Sequence, residues 1–253
     1  MPRLYLFAEG QTEQTFASKL LEPHLANFGV FLHPPVLVAH ARKKGKAHRG
    51  GAMNYLPMAN DIRRFFAQEK SRDVFFTTMI DLYAIYRESP GLEDGEKIGH
   101  LPYQQVEMLE AAFRDDLGDT RFVPYIQLHE YEAYLFADPS RFRDFYGNHE
   151  PQIAALIAIV DECGSPEMID GGSTTAPSKR ILALFPDYNK VVVGTEVAAL
   201  IGLQTIRDRC PNFNRWLTAL EQLGHATPDL EQPGLRKSRR PLLAKGPAAH
   251  VTR

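Results

Sequence analysis

The sequence predicts an α/β protein: a mostly parallel four-stranded sheet flanked by helices, followed by a C-terminal helical subdomain. Three observations carry this. Short apolar runs alternate with stretches of helical period as far as about residue 138. Three of those runs end in an acidic residue where a strand would stop. Beyond that point helical periodicity takes over almost alone. The expected organisation is an α/β core over residues 1–138, a helical subdomain packed on it over 139–223, and a basic, disordered tail over 224–253.

The first strand covers residues 3–8 (RLYLFA) and runs into Glu9-Gly10. Thr12 is the expected N-cap of a helix over residues 15–27, with Phe16, Leu20, Leu21 and Leu25 on one face and Gly29 as its stop. After Pro34-Pro35 a second strand spans residues 36–40 (VLVAH). A basic, glycine-containing loop follows over 41–51 (ARKKGKAHRGG), then a helix over 55–69. The third strand, residues 74–80 (VFFTTMI), is continuous and apolar enough to be buried on both faces. Residues 89–95 read as a surface loop rich in turn signals. A helix over 103–117 turns Val106, Leu109 and Phe113 inward. The fourth strand spans 122–128 (FVPYIQL), and residues 131–136 begin another helix.

In the last part, helices are expected over 151–162, 178–185, 195–200, 203–209 and 212–223, with Ser178 capping the second of them. Residues 191–193 (VVV) are the one candidate strand there, and residues 171–177 form a flexible loop. Phe213 and Trp216 fall on one helix face and read as core.

Composition sets outer limits. Of 253 residues, 44% are hydrophobic and 24% charged, as in ordinary globular chains. No apolar stretch approaches a membrane span. The N-terminal apolar run is too short, and too soon followed by an acid, to be a signal peptide. Two cysteines, Cys163 and Cys210, make neither a disulfide framework nor a zinc set, so a cytoplasmic protein with reduced thiols is expected. The net charge of −2 does not mark a nucleic-acid binder in bulk. The basic loop at 41–51 and the tail from Arg236 to Lys245 are nevertheless local cationic patches, which matter more for phosphate.

The candidate chemistry lies at the strand ends. Glu9, Asp81 and Glu130 follow the first, third and fourth strands. In a parallel sheet these positions face one crevice, where such folds place ligands. Three carboxylates meeting there repel one another unless a cation sits between them, and hard oxygens suit Mg²⁺ or Mn²⁺. The expected catalytic residues are therefore Glu9, Asp81 and Glu130, and the expected metal ligands these three with Glu132. Glu132, two residues beyond Glu130, either completes a second metal position or simply opens the helix. Glu13 either lines the same crevice or is the acid of a capped first turn. Tyr83 either donates to a phosphate oxygen or packs, and His129 either orients a water or is structural. Arg42 and Lys43 of the basic loop, with Lys179, Arg180 and Lys190, are the cations expected to bind substrate. Gly171-Gly172 is not a Walker motif, and neither a Ser-His-Asp nor a Cys-His signature is found.

Three segments together resemble the Toprim superfamily: Glu9-Gly10-x-Thr12-Glu13, Asp81-x-Tyr83 and His129-Glu130-x-Glu132. This is the Rossmann-like α/β domain of topoisomerases, primases and nucleases of the overcoming-lysogenization-defect and ribonuclease M-five kinds. With Ser178-Lys-Arg180, Tyr188-x-Lys190, Arg207, Cys210-Pro and Phe213-x-x-Trp216-Leu, the chain more specifically resembles a bacterial family with a Toprim-like core, domain of unknown function 4276. The likeness covers most of residues 1–223. It implies that Glu9 acts as general acid or base and that Asp81 holds Mg²⁺. An Asp-x-Asp pair is the superfamily pattern, and Tyr83 stands where its second aspartate would be, with Glu130 or Glu132 as substitutes. The implied activity is a metal-dependent phosphodiester hydrolase on nucleic acid, in defence against phage or foreign DNA, beside a partner ATPase. The alternative is a non-catalytic Toprim-derived module that binds nucleic acid or nucleotide for a partner protein.

Overall fold

The structure is a computed structural model and describes residues 1–38, 55–85, 88–169, 172 and 174–225. At its centre is the first strand, β1 (Arg3–Ala8). On one side β1 pairs with β2 (Phe31–Leu32) and β3 (Val36–Leu37), and on the other with β4 (Val74–Asp81). The far side of β4 carries β5 (Phe122–Val123) and β6 (Ile126–Gln127), and all these pairings are parallel. The mostly parallel α/β architecture flanked by helices is as the sequence predicts.

Prolines explain two departures. The fourth strand, expected as one run, is divided into β5 and β6 at Pro124, which has no N–H for the ladder. Thr78 bridges the gap: its hydroxyl accepts from Tyr125 N and donates to Tyr125 O, both at 2.9 Å. Pro34-Pro35 likewise separates β3 from β2, a short strand that the sequence pattern did not reveal. Of the expected strand over 36–40, Val36–Leu37 is seen, and residues 39 and 40 lie outside the described residues.

The first helix starts earlier than expected. α1 (Gln11–Phe16) follows directly on Gly10, so Thr12 is a buried first-turn residue and not the N-cap. The rod continues through a widened turn (Ala17–Leu21), in which Glu22 N donates to Ala17 O, into α2 (Glu22–Ala26). That five-residue step accommodates Pro23, which would otherwise clash with the carbonyl four residues back. Phe16, Leu20, Leu21 and Leu25 are all buried. Gly29, at φ +73°, turns the chain back toward β2.

α3 (Tyr55–Gln68) and α5 (Pro102–Leu117) cover one face of the sheet, against Phe7, Val74, Phe76 and Ile80. Between them, α4 (Leu92–Lys97) replaces part of the expected loop over 89–95. Side chains alternate along β1, so Leu4, Leu6 and Ala8 point to the opposite face. There they pack on α1, on the 3₁₀ segment Tyr131–Ala137 and on the C-terminal helices.

Those helices are α6 (Glu150–Cys163), α7 (Pro177–Leu184), α8 (Thr195–Ile201), α9 (Leu203–Arg209) and α10 (Pro211–Gln222). Residues 191–193 are not a strand. They belong to a wide helical turn, Lys190–Gly194, which runs straight into α8. α10 docks on the sheet through Trp216, whose Nε1 donates to Thr77 Oγ1 at 2.8 Å and whose ring stacks on Tyr125 at 4.2 Å. Asn212 Nδ2 donates to Ile126 O at 3.0 Å. Both cysteines are free. Among the described residues no helix is long and apolar enough to cross a membrane.

Candidate active site

The carboxyl ends of β1 and β4 are joined by a side chain. Glu9 N donates to Met79 O at 3.1 Å, which extends the ladder by one bond. The Glu9 carboxylate then accepts from Asp81 N at 2.9 Å. Gly10 follows, and a Cβ there would stand 3.1 Å from Glu13 Oε2, so the missing side chain lets Glu13 fold back beside the strand ends. Asp81 closes β4, and Glu132 comes from the first turn of the 3₁₀ segment. Glu13, Asp81 and Glu132 are 3%, 6% and 2% exposed.

One cation sits among them. Lys190 Nζ lies 3.1 Å from Glu132 Oε2, 3.5 Å from Glu13 Oε1 and 3.8 Å from Asp81 Oδ2. The same nitrogen is 5.6 Å from the centre of the Tyr131 ring, within cation–π reach. Three oxygens nevertheless lack a hydrogen bond: Glu13 Oε1, Asp81 Oδ1 and Glu132 Oε2. Glu132 Oε2 is held by the Lys190 ammonium as an ion pair.

Burial, reinforced by the like charge of Glu9, raises the Asp81 pKa well above the ordinary carboxylate value, and Lys190 offsets part of this. Glu132 is pushed up to about 7, again by burial and again relieved by Lys190. Burial works against the Lys190 charge, yet Asp81, Glu132 and Glu13 together hold its pKa well above lysine's ordinary value. The surrounding acids thus favour the charged ammonium.

Beside the cluster lies Tyr188, whose buried hydroxyl has no hydrogen-bond partner and whose strongest charged neighbour is Glu132. A Cβ on Gly194 would overlap that hydroxyl. Gly194→Ala is expected to cost about 1–3 kcal/mol by overpacking. Because the obstructing atom is the Tyr188 oxygen, adding Tyr188→Phe should recover most of the loss. Urea unfolding of the single and double variants measures it, and equal stability of the two would contradict the contact.

The end of β6 is different. His129 adopts φ +63°, a left-handed backbone unusual for a non-glycine residue. Its Nδ1 lies 2.6 Å from the hydroxyl of Tyr83. The Glu130 carboxylate accepts from Ser178 N in the first turn of α7. Ser178 is accordingly not the expected cap. Ala176 holds the N-cap position, and an acid from the sheet satisfies a first-turn N–H.

Residues 8–221 match the family model described as a domain of unknown function, DUF4276. The chain belongs to the DUF4276 family. A comparison with curated proteins gives no match. Two solved structures are similar to this DUF4276 chain. One is the C-terminal region of the Burkholderia pseudomallei OLD protein, at 16% identity and a TM-score of 0.41, covering 86% of this chain and 98% of that one. The other is the C-terminal region of the Xanthomonas campestris pv. campestris OLD protein, also at 16% identity and a TM-score of 0.41, covering 89% and 96%.

In this DUF4276 member the acids nominated at the strand ends separate into two groups. Glu9 and Asp81 are in direct contact, and Asp81 shares Lys190 with Glu132 and Glu13. Glu130 is turned to α7. Glu13, placed by the sequence either in this crevice, one helical turn after Glu9, or in a capped first turn, sits in the acid cluster. Lys190, expected to face substrate, sits among the acids. Tyr83 is 41% exposed and pairs with His129. Lys179 is exposed at the start of α7, while Arg180 Nε donates to Thr175 O at 2.7 Å. Arg42 and Lys43 lie outside the described residues, as does the tail from residue 226. Tyr188 had no assigned role; its spacing from Lys190 was the available clue.

The donor set suits a hard divalent cation, because it consists of carboxylate oxygens, three of them buried and without hydrogen bonds. Among the described residues no three acids, histidines or cysteines are gathered closely enough to hold a metal as they stand. The acids are spaced around an ammonium.

Proposed function

We propose that this DUF4276 protein is a metal-dependent phosphodiester hydrolase acting on nucleic acid, built on a Toprim-like core. The observation that carries this is the convergence of Glu13, Asp81 and Glu132, from three elements, at the carboxyl ends of parallel strands with buried oxygens left unsatisfied. Asp81 and Glu132 are buried with raised pKa values, a feature of functional sites. These three residues would hold Mg²⁺ or Mn²⁺. Bound there, the ion would neutralise charge on the scissile phosphate and acidify a water.

The chain's own groups have separate tasks. Glu9, fixed by its bond from Asp81 N, would take the proton of the attacking water. Glu130 would serve by tying the start of α7 to the end of β6, which sets Lys179 and Arg180 near the path of a phosphate backbone. Tyr83 and His129 would contact the same substrate. A role in defence against foreign DNA and a partner ATPase rest on the Toprim resemblance alone, and a cytoplasmic location rests on composition and cysteine content.

The test is cleavage of DNA and RNA by purified protein in Mn²⁺ or Mg²⁺, beside Glu9→Gln and Asp81→Asn. Wild type should generate products, and each variant should fall by at least about a hundredfold. Equal cleavage by all three proteins would sink the reading.

One observation favours a second reading, a non-catalytic nucleic-acid or nucleotide binding module for a partner protein: Lys190 already supplies the acids with a counter-charge. That reading expects calorimetry to give salt-sensitive association with nucleic acid and no metal-dependent product.

A further inference from the structure

We propose that Lys190 is an internal counter-ion that holds the acid cluster together without metal and must leave when a divalent cation binds. The proposal rests on reading the cluster as a metal site. Four carboxylates, Glu9, Glu13, Asp81 and Glu132, act on this small volume, and one ammonium lies at 3.1–3.8 Å from three of them. An ammonium and a divalent ion cannot share such a position, since they would be like charges within a few ångströms in a poorly screened setting.

Two further features suit an exchange of cations. Tyr188, 8% exposed and two residues before Lys190, has a buried hydroxyl with no hydrogen-bond partner beside Glu132, so an ammonium alone leaves the polar groups here incompletely satisfied. The Lys190 side chain is 34% exposed, so it lies at the edge of the site and is not sealed within it. The turn that carries it is anchored independently: Asn189 Oδ1 accepts from Val192 N at 3.0 Å, and Thr195 Oγ1 donates to Val191 O at 2.7 Å. The side chain can thus leave while the backbone stays. Expelled toward the mouth of the site, the same ammonium becomes available to a phosphate oxygen, so metal loading would also arm substrate binding.

The experiment is Mn²⁺ titration, by calorimetry and electron paramagnetic resonance, of metal-free wild type, Lys190→Met and Asp81→Asn. Methionine keeps an apolar stem near Tyr131 and removes the charge. Lys190→Met should bind Mn²⁺ at least about tenfold more tightly than wild type. In chelator its thermal midpoint should fall below that of wild type, and Mn²⁺ should restore it. In wild type, ¹⁵N spectra of the lysine ammonium groups should show a protected Lys190 signal that moves to the position of exposed lysines when Mg²⁺ is added.

Equal or weaker Mn²⁺ binding by Lys190→Met, with binding abolished in Asp81→Asn, would overturn the exchange and leave the metal site standing. Absence of Mn²⁺ binding by wild type and Lys190→Met at millimolar concentration would overturn both. If Lys190→Met does not fold in chelator, the ammonium spectra decide, and an unmoved Lys190 signal in Mg²⁺-saturated protein would refute displacement.

Discussion

Trp216→Ala is expected to destabilise the protein by about 3–5 kcal/mol. The ring is 1% exposed, stacks on Tyr125 with 12° between planes and meets the edge of Phe213 at 5.7 Å. Its N–H reaches Thr77 on β4, and that hydroxyl donates onward to Val123 O at 2.6 Å. Trp216 therefore links α10 to two neighbouring strands. Trp216→Phe keeps most of the apolar contact and loses the hydrogen bond, so it should cost roughly half as much or less. Unfolding in urea followed by circular dichroism gives both values, and the protein's single tryptophan makes wild-type fluorescence a reporter of the same docking. A loss below about 1 kcal/mol for the alanine variant would mean that α10 is not held through this residue.

The second large effect concerns Glu167, a fully buried acid on the 3₁₀ turn Pro166–Met168 that faces the start of α10. Its two oxygens accept from Asn212 N at 2.9 Å and Phe213 N at 3.0 Å. Glu167→Ala leaves both N–H groups without this acceptor inside the protein, at a cost of about 2–4 kcal/mol. Burial pushes the Glu167 carboxyl up to about 7, although both backbone N–H bonds pull it down. A folded-state pKa above the unfolded value means that the proton is bound more tightly in the folded protein. The corresponding stability is complete below the ordinary glutamate value and is lost as pH rises through about 7, a difference of about 3 kcal/mol. The advantage of wild type over Glu167→Gln should accordingly shrink between about pH 5 and about pH 8. A margin independent of pH would show that this carboxyl does not titrate in that window.

The sheet was legible because its evidence is local. A run such as VFFTTMI can be buried on both faces only as an inner strand, and its last residue, Asp81, then falls at the carboxyl end without further information. The contact between Glu9 and Asp81 follows from the same logic, since β1 and β4 are neighbours in register. What the sequence concealed depends on tertiary structure. The β-branched residues 191–193 have strand propensity, yet Asn189 caps their turn and α8 continues it, so context overrides propensity. The helix expected over 15–27 does run through Pro23, but the widened turn that absorbs the proline has no local signature. Glu130 and Glu132 look equivalent in sequence. Their separation arises because Glu130 stays extended at the strand end while Glu132 is already inside the tight 3₁₀ turn. Nothing local marks Lys190 as the partner of Glu132, Asp81 and Glu13, which lie far earlier in the chain.

The prolines that divide the outer strands also bear on self-association. Among the described residues, neither margin of the sheet holds more than two consecutive paired positions: Phe31–Leu32 and Val36–Leu37 on one side, Phe122–Val123 and Ile126–Gln127 on the other. A foreign strand adding itself there would need an unbroken row of free amide and carbonyl groups, and Pro34, Pro35 and Pro124 interrupt it on both flanks. This sheet is thereby poorly suited to edge-to-edge aggregation, despite the strongly apolar stretch at its heart.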